Sequence, residues 1–555
     1  MKPMGKKMKK IVIFLVLMVV FMLGCKAEEN TGQLTGTELI NEAKPGELKV
    51  YVMGDLVSGS VEGESIEYFH TAYTVGPFGP LTNGSKFEGH MLYAPLQSFE
   101  KEKGIPLNVQ YFYSMELMEK QILEDKKNGD TPDVIIIDYH GWGTGREYDN
   151  VYRLIYNGWF ADMLPFLELD KVYESDECYN EVLEAGLLSG KQYIVPLSFN
   201  MNALFASEED MNQIGVAIEP GMESTQLLEQ MEFGCNMAQY DEIIVDSLST
   251  GIWSTAIIQD YWESTGLSVV DYERQEATID KELFEDMAVF FKQYLKMNIV
   301  DEWESVLANA QSYMTEENWS PYRTPGDLKT LDDQKRWAQM FKEAAMEWLN
   351  QGVFYYENST LSRYKHSLPG QCTALNTLYE DINETMVMVG IPTYNDNEKY
   401  MAQVQLYGGV LAESEHPYHS YQLLKHLMDQ KYDPYYAIPV QKEKAESVLD
   451  QLTSSVYTLY LGLEVYWEED ADFSQEVDTY DLQPLPDELQ QQLQYMFDNI
   501  GGAALPQPSI YGPIVRHLEA YAFELESLDE AYENACKDLE EHLEYITAGD
   551  SMLPF

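Results

Sequence analysis

An α/β fold is what this sequence predicts, on three observations from its first third. Strand-like and helix-like segments alternate after Leu48. The run Val134-Ile135-Ile136-Ile137 is apolar without alternation, the pattern of a parallel strand buried on both faces. Glycines at 104 and 129 fall where the helical periodicity stops, as helix C-terminal caps do.

Taken in order, Leu48–Met53 reads as a strand and Tyr93–Lys103 as an amphipathic helix stopped by Gly104. Residues 107–113 read as a second strand, and Met115–Asn128 as a helix closed by Gly129, ahead of the Val134 run. The order is βαβαβ. Open parallel sheets bind ligands beyond the carboxyl ends of their strands, which places Gly54-Asp55 and Asp138-Tyr139-His140-Gly141-Trp142 at one rim. Residues 57–92, rich in glycine, proline and aromatics (Tyr68, Phe69, Tyr73, Phe78), read as a surface insertion or as a flap over that rim. Further on, 283–297 and 328–350 have helical periodicity, 385–390 and 402–412 read as strands, and 418–430 as a helix. Leu528–Thr547 is a last amphipathic helix with Gly549 beyond it. No internal repeat occurs at the roughly 20–50-residue periods of solenoids and propellers.

Lys2, Lys6, Lys7, Lys9 and Lys10 precede an unbroken apolar run from Ile11 to Leu23, followed by Gly24-Cys25. As a helix this run would reach roughly 20 Å, short of the ~30 Å hydrocarbon core, so it suits a secretory signal better than a membrane span. Residues 26–46 are polar and aperiodic and read as a tether.

The formal net charge is −57, from 93 acidic against 36 basic residues. Such a surface repels phosphate backbones, which excludes nucleic acid as a partner. With 45% hydrophobic and 13% aromatic residues, the acidity does not mean disorder. Beyond Cys25, the cysteines Cys178, Cys235, Cys372 and Cys536 are far apart and form no CxxC or metal-type pair, so scattered, mostly buried free thiols are expected. Forty tyrosines and nine tryptophans suit a protein that stacks rings on a ligand, although packing is the commoner use of such residues.

Several segments, in order and spacing, resemble the extracellular solute-binding proteins of bacterial ABC importers, in particular the sugar-binding group that includes the maltose-binding proteins. They are NGDTPDVIIIDYHGW, YNGWFADMLPFLELD, SGKQYIVPLSFNMNALFASEEDMNQIGV, MVGIPTYND, AQVQLYGGVLAESEHPYHSYQLLKHL and LDEAYENACKDLEEHLEY. The resemblance covers the chain to about residue 212, then 271–291 and 386–545. The opening segment resembles a lipoprotein signal, with Met22 and Leu23 replacing the usual residues before the lipidated Cys25. Residues 57–92 are longer than the pattern, and 305–364 match nothing in it.

The resemblance implies a two-lobed periplasmic-binding-protein-like fold, each lobe a mostly parallel sheet flanked by helices, joined by crossing strands and closing on a ligand. The implied divisions are 1–24 as lipoprotein signal peptide, 25–46 as tether, 47–198 with 387–440 as the N-terminal lobe, and 199–386 with 441–550 as the C-terminal lobe. Carried over position by position, the ligand-binding residues are Asp55, Asp138, Tyr139, Trp142, Asn200, Trp253, Tyr379, Tyr407, Tyr511 and Arg516, with Gly408 a weaker addition. The implied protein is a monomer held at the outer face of the cell membrane by lipid on Cys25. It captures a small solute, with sugar or oligosaccharide favoured, and delivers it to ABC transporter permease subunits.

No cofactor is called for. His416 and His419, three apart beside glutamates, read as a solvated helix face rather than a metal site. HExxH, GxSxG, GxxxxGKS and GxGxxG in strand context are absent, and abundant carboxylates make any glycosidase-like pair uninformative, so no enzyme is expected. The alternatives are a surface binding or sensing lipoprotein not coupled to transport and, less favoured, a secreted glycan-active enzyme.

Overall fold

The structure is a computed structural model that describes residues 42–54, 81–82, 92–112, 115–139, 151–241, 254–298, 367–381, 384–432, 437–461 and 478–547. The signal segment with Cys25, most of the tether and of the 57–92 stretch, the helix expected at 328–350, and Asp55, Trp142 and Trp253 lie outside the described residues.

A nine-stranded mixed sheet forms the larger layer. Its strands are β1 (Leu48–Met53), β2 (Leu81–Thr82), β3 (Leu107–Phe112), β4 (Val134–Asp138) and β5 (Val195–Met201). A separate pair, β6 (Ala203–Ser207) and β7 (Met386–Gly390), stands outside it. The chain then returns to the nine-stranded sheet with β8 (Pro392–Thr393), β9 (Asp396–Val410), β10 (Ile438–Pro439) and β11 (Ile500–Ala504). The main path is β10-β5-β9-β4-β1-β3-β2, and β8 and β11 pair with β9.

The first strands form as their sequence dictates. β1 and β4 are buried along their whole length, and β1 lies parallel to both β3 and β4 (Val50↔Val109, Val50↔Val134). Lys49 is tolerated inside β1 because its ammonium bonds Asp125 Oδ2 at 2.9 Å, Asp130 Oδ2 at 2.8 Å and the Asp130 carbonyl at 2.9 Å. A buried charge needs that full set of partners. The helices α1 (Tyr93–Lys103) and α2 (Met115–Asn128) end on Gly104 and Gly129, with φ of 62° and 71°.

The sheet departs from the mostly parallel expectation. Only β4-β1-β3 and the β9–β11 pair are parallel, whereas β9 runs antiparallel to β4 and β5, and β10 antiparallel to β5. The reason is β9 itself: it enters the sheet from the end at which β5 leaves it, so it cannot run alongside β4 in the same sense. The strand expected at 402–412 begins earlier, at Asp396.

A second hydrophobic core lies around the antiparallel β6–β7 pair (Met386↔Ser207, Gly390↔Ala203). It is built by α4 (Ser224–Asp241), α5 (Ser254–Thr265) and α6 (Lys281–Asn298), together with two helices near the end of the chain. Between these groups lie α7 (Leu368–Asp381), α8 (Pro417–Met428), α9 (Lys442–Ser454) and α10 (Asp487–Asp498). The last two are α11 (Pro508–Ala522) and α12 (Leu528–Thr547). Trp262 is fully buried here with its indole N–H donating to the Leu267 carbonyl at 3.0 Å. On α12, Ala531, Ala535, Leu539 and Leu543 recur every four residues and are buried. Ser527 and Glu530 start that helix with a reciprocal capping box: Ser527 N donates to Glu530 Oε2 at 2.9 Å, and Glu530 N to Ser527 Oγ at 3.3 Å.

Two backbone passages join the two cores. Only Asn202 separates β5 in the sheet from β6 in the second core. The return runs from β7 through β8 into β9, whose 15 residues would span roughly 50 Å as a strand. Gly408 and Gly409 mark where β9 packs closest: a Cβ on Gly409 would sit 2.5 Å from the Phe160 ring and 3.0 Å from the Tyr193 carbonyl, and one on Gly408 would sit 2.5 Å from Leu424. Gly408 therefore serves packing against α8. Gly409→Ala is expected to cost about 1–3 kcal/mol in denaturant unfolding, the usual cost of overpacking.

Candidate functional site

The site is assembled along β9, where Gln403 meets α5 of the second core. Asp138 ends β4, is fully buried, and lies opposite Leu406 of β9. Gly54, at the end of β1, comes so close that a Cβ there would meet the Asp138 carbonyl at 2.6 Å. Tyr139 donates its amide N–H to the Gln405 carbonyl at 2.7 Å, and Tyr407 faces Ile137 across the same ladder. Asp138 and Tyr139, expected at the rim, and Tyr407, expected from the resemblance, are thus brought together, and all are buried.

Between β9 and β5 the register slips twice. Val404 pairs Phe199 but Leu406 pairs Ser198, so Gln405 is an extra residue on β9. A bulge of this kind re-aims side chains and is common beside binding sites. Among the described residues, the buried Gln405 Oε1 and Ser198 Oγ have no hydrogen-bond partner. Each such atom costs ~1–3 kcal/mol unless a polar group meets it.

Two residues earlier on β9, Gln403 donates through Nε2 to Glu263 Oε2 at 2.7 Å. The other Glu263 oxygen accepts from Gln259 Nε2 at 2.9 Å. Glu263 and Asp260, one turn apart on α5, are both buried. Asn202, in the first passage, donates to the Asp260 carbonyl and to Ser264 Oγ, each at 3.0 Å. Both passages are therefore fastened to the same turn of α5. Tyr511 of α11 is buried beside this group, and burial together with the Glu263 and Asp260 charges pushes its phenol well above the usual tyrosine range. It stays protonated and able to donate.

Aromatic residues extend the group. Tyr272 donates its hydroxyl to Gln507 Oε1 at 2.6 Å, and its ring stacks on Tyr152 at 3.7 Å with 8° between planes. Tyr156 donates its hydroxyl to the Tyr272 carbonyl. Both Tyr152 and Tyr156 come from α3 (Val151–Tyr156), which packs against the second core.

The other expected residues are placed differently. Asn200 accepts the Leu368 amide N–H at 2.6 Å through Oδ1, which satisfies a donor at the start of α7. Tyr379 is buried on α7 itself. Arg516 is half-buried on α11 and donates through Nη1 to Asp538 Oδ2 of α12 at 3.0 Å, so any ligand would share its guanidinium with that carboxylate. Asp260, Glu263, Asn202, Gln403, Gln405, Tyr152 and Tyr272 were not singled out from sequence. The usable signal was polarity out of place: two glutamines inside the apolar run AQVQLYGG, and Asp and Glu in the apolar helix AIIQDYWEST.

The chemistry available is acceptor-rich, with carboxylates, amides that both donate and accept, and tyrosine rings and hydroxyls. Among the described residues no group of three or more His, Cys, Asp or Glu could hold a metal ion. His419 Nδ1 lies 3.3 Å from Gln422 Oε1. Cys178 and Cys372 are buried free thiols, and burial pushes Cys178 up to about 12, so it carries no thiolate near neutrality. No helix among the described residues is long and apolar enough to cross a membrane. Replacing Gln403 by Leu would take a donor from the buried Glu263 and is expected to destabilise the protein by about 1–3 kcal/mol in urea unfolding.

No family model and no curated protein matches this chain. Solved structures are similar to it along most of its length at low identity. An extracellular solute-binding protein family 1 from Alicyclobacillus acidocaldarius subsp. acidocaldarius DSM 446 has 12% identity and a TM-score of 0.45, over 91% of this chain and 100% of that one. An ABC substrate-binding protein from Listeria monocytogenes in complex with cycloalternan has 12% identity and a TM-score of 0.42, over 91% and 99%. An improved variant of a de novo designed esterase has 11% identity and a TM-score of 0.48, over 90% and 100%. Similarity at this level separates no function from another, and function has to be read from this chain's own residues.

Proposed function

We propose that the protein is a two-lobed solute-binding protein that grips a small polyhydroxylated solute, a sugar or oligosaccharide, between its two cores and passes it to an ABC-type permease. The lobes are 47–198 with 387–440 and 199–386 with 441–550. The observation that carries this reading is the buried polar group at the two passages: Gln403, Gln405, Glu263, Asp260 and Tyr511, held by the strands that connect the cores. A sugar offers hydroxyls for bidentate bonds to amides and carboxylates, and C–H faces for tyrosine rings. Closing the lobes around it removes water, which strengthens those bonds. Ligand then favours the closed arrangement by its differential affinity for it.

In this reading Asp138, Tyr139, Tyr407 and Tyr511 contact the solute with Gln403 and Gln405, Asp55, Trp142 and Trp253 complete the site, and Asn200, whose Oδ1 accepts the Leu368 amide N–H, supports α7 instead. The order of segments along the chain and the signal-like start support secretion and lipidation at Cys25 after removal of residues 1–24, with the protein at the outer face of the cell membrane.

A thermal-shift screen of the purified protein against mono- and oligosaccharides tests the proposal, because a ligand at 100 times its Kd adds ~2.7 kcal/mol of stability. A hit among sugars is the expected result; hits only among peptides or polyamines would overturn the ligand class. With the ligand in hand, Gln405→Ala and Trp142→Ala are each expected to weaken binding by roughly tenfold or more in calorimetry, with folding retained. Unchanged affinity in both would remove these residues from the site.

A further inference from the structure

We propose that His517 is held as an imidazolium clamping α12 onto α11, so that docking of the last helix is a latch that loosens as pH rises. The inference stands apart from the solute-binding reading.

The geometry requires two protons on one ring. His517 Nδ1 lies 2.9 Å from Glu526 Oε2, and Nε2 lies 3.2 Å from Asp538 Oδ2. An ionised carboxylate only accepts, so both ring nitrogens must donate, and only the imidazolium does so. The side chain is 8% exposed, which leaves water little opportunity to substitute for either contact.

The surrounding charges hold this state. Glu526, in the turn between the helices, also accepts from Asn534 Nδ2 at 2.8 Å, and Asp538 also accepts from Arg516 Nη1 at 3.0 Å. Arg516 and His517 thus balance Glu526 and Asp538. The other charged groups nearby are engaged elsewhere or neutral. Lys292 of α6 pairs with Glu524 at 3.1 Å. His542, further along α12, is pushed down to about 4 by burial and by Arg516, so it is neutral near pH 7. On α5, Asp260 and Glu263 stand beside Tyr511, near the opposite end of α11. Glu519 is buried on α11 itself.

Burial alone would lower the His517 value, but the hydrogen bonds and charges of Asp538 and Glu526 raise it above its ordinary 6.5. A group with a raised folded value contributes stability that is complete below the unfolded value and lost as pH rises through the folded one. Asp538 is lowered, first by its bond to His517, so its share is present above the ordinary 3.8 and is lost as pH falls through the folded value. The clamp therefore holds between those limits. Each unit by which His517 exceeds 6.5 changes the latch equilibrium about tenfold.

Two measurements on the full chain test this. In an NMR titration of the imidazole Cε1–H signals, with the His517 signal assigned by its loss in His517→Gln, that signal is expected to titrate above 6.5. A value at or below 6.5 overturns the proposal. In hydrogen exchange between pH 6 and 9, corrected for intrinsic rates, α12 amides of the wild type are expected to lose protection as pH rises, by about tenfold for each unit by which the His517 value exceeds 6.5. His517→Gln should remove that dependence. The same dependence in His517→Gln, or none in the wild type, would contradict the latch. Should His517→Gln fail to fold, Asp538→Asn serves for assignment, and its His517 signal is expected to shift to lower pH.

Discussion

One strand of the sheet whose buried polar side chains reach the second core sets the constraint on which this molecule depends. β9 pairs with β8 and β11 at its start and with β4 and β5 at its end. Around Gln403 its buried side chains meet α5 of the second core. Polar groups there cost stability where they are left unmatched, as Gln405 Oε1 and Ser198 Oγ are among the described residues. Gln403 meets Glu263, the Gln405 carbonyl meets Tyr139, and Asn202 ties the other passage to the same turn of α5. The consequence is a junction that is rigid in its backbone and rich in hydrogen-bonding groups, a combination suited to holding a polar solute.

The large negative charge is handled by distance and by local pairing. Several buried or half-buried acids are met individually: Asp125 by Lys49, Glu119 by Arg153, Glu263 by amides, and Glu526 and Asp538 by the ring of His517. Breaking any such pair leaves an uncompensated buried charge, which is why these contacts fix helix positions more firmly than their small net contribution to stability suggests.

Much of the fold was legible because its segments carry clean signals. The apolar run 134–137, the glycines at 104 and 129, and the four-residue alanine and leucine spacing in 531–543 each report one local cause, and β1, α1, α2 and α12 begin and end where those signals place them. The mixed sense of the sheet was not legible, because strand direction depends on where the chain has been in between, and nothing local in 396–410 encodes it. The site divides in the same way. Asp138 and Tyr139 sit at the end of β4, where a sheet rule finds them, whereas Tyr407 lies inside β9 and was reached through the family resemblance. Glu263 and Gln403 meet only through tertiary packing across 140 residues of sequence, Tyr272 meets Tyr152 in the same way, and each alone resembles an ordinary polar or aromatic position. Arg516 illustrates the converse: expected near the start of a late helix, it lies in the middle of α11, and its partner, Asp538, comes from the helix after it.

Small-angle X-ray scattering with and without a bound saccharide tests the central claim most directly. If two cores joined by β5–β6 and β7–β9 close on a solute, saturating ligand should lower the radius of gyration, and the scattering curve should return to its starting form when ligand is removed. A ligand that binds stoichiometrically while the scattering curve stays unchanged would contradict closure about the crossing strands.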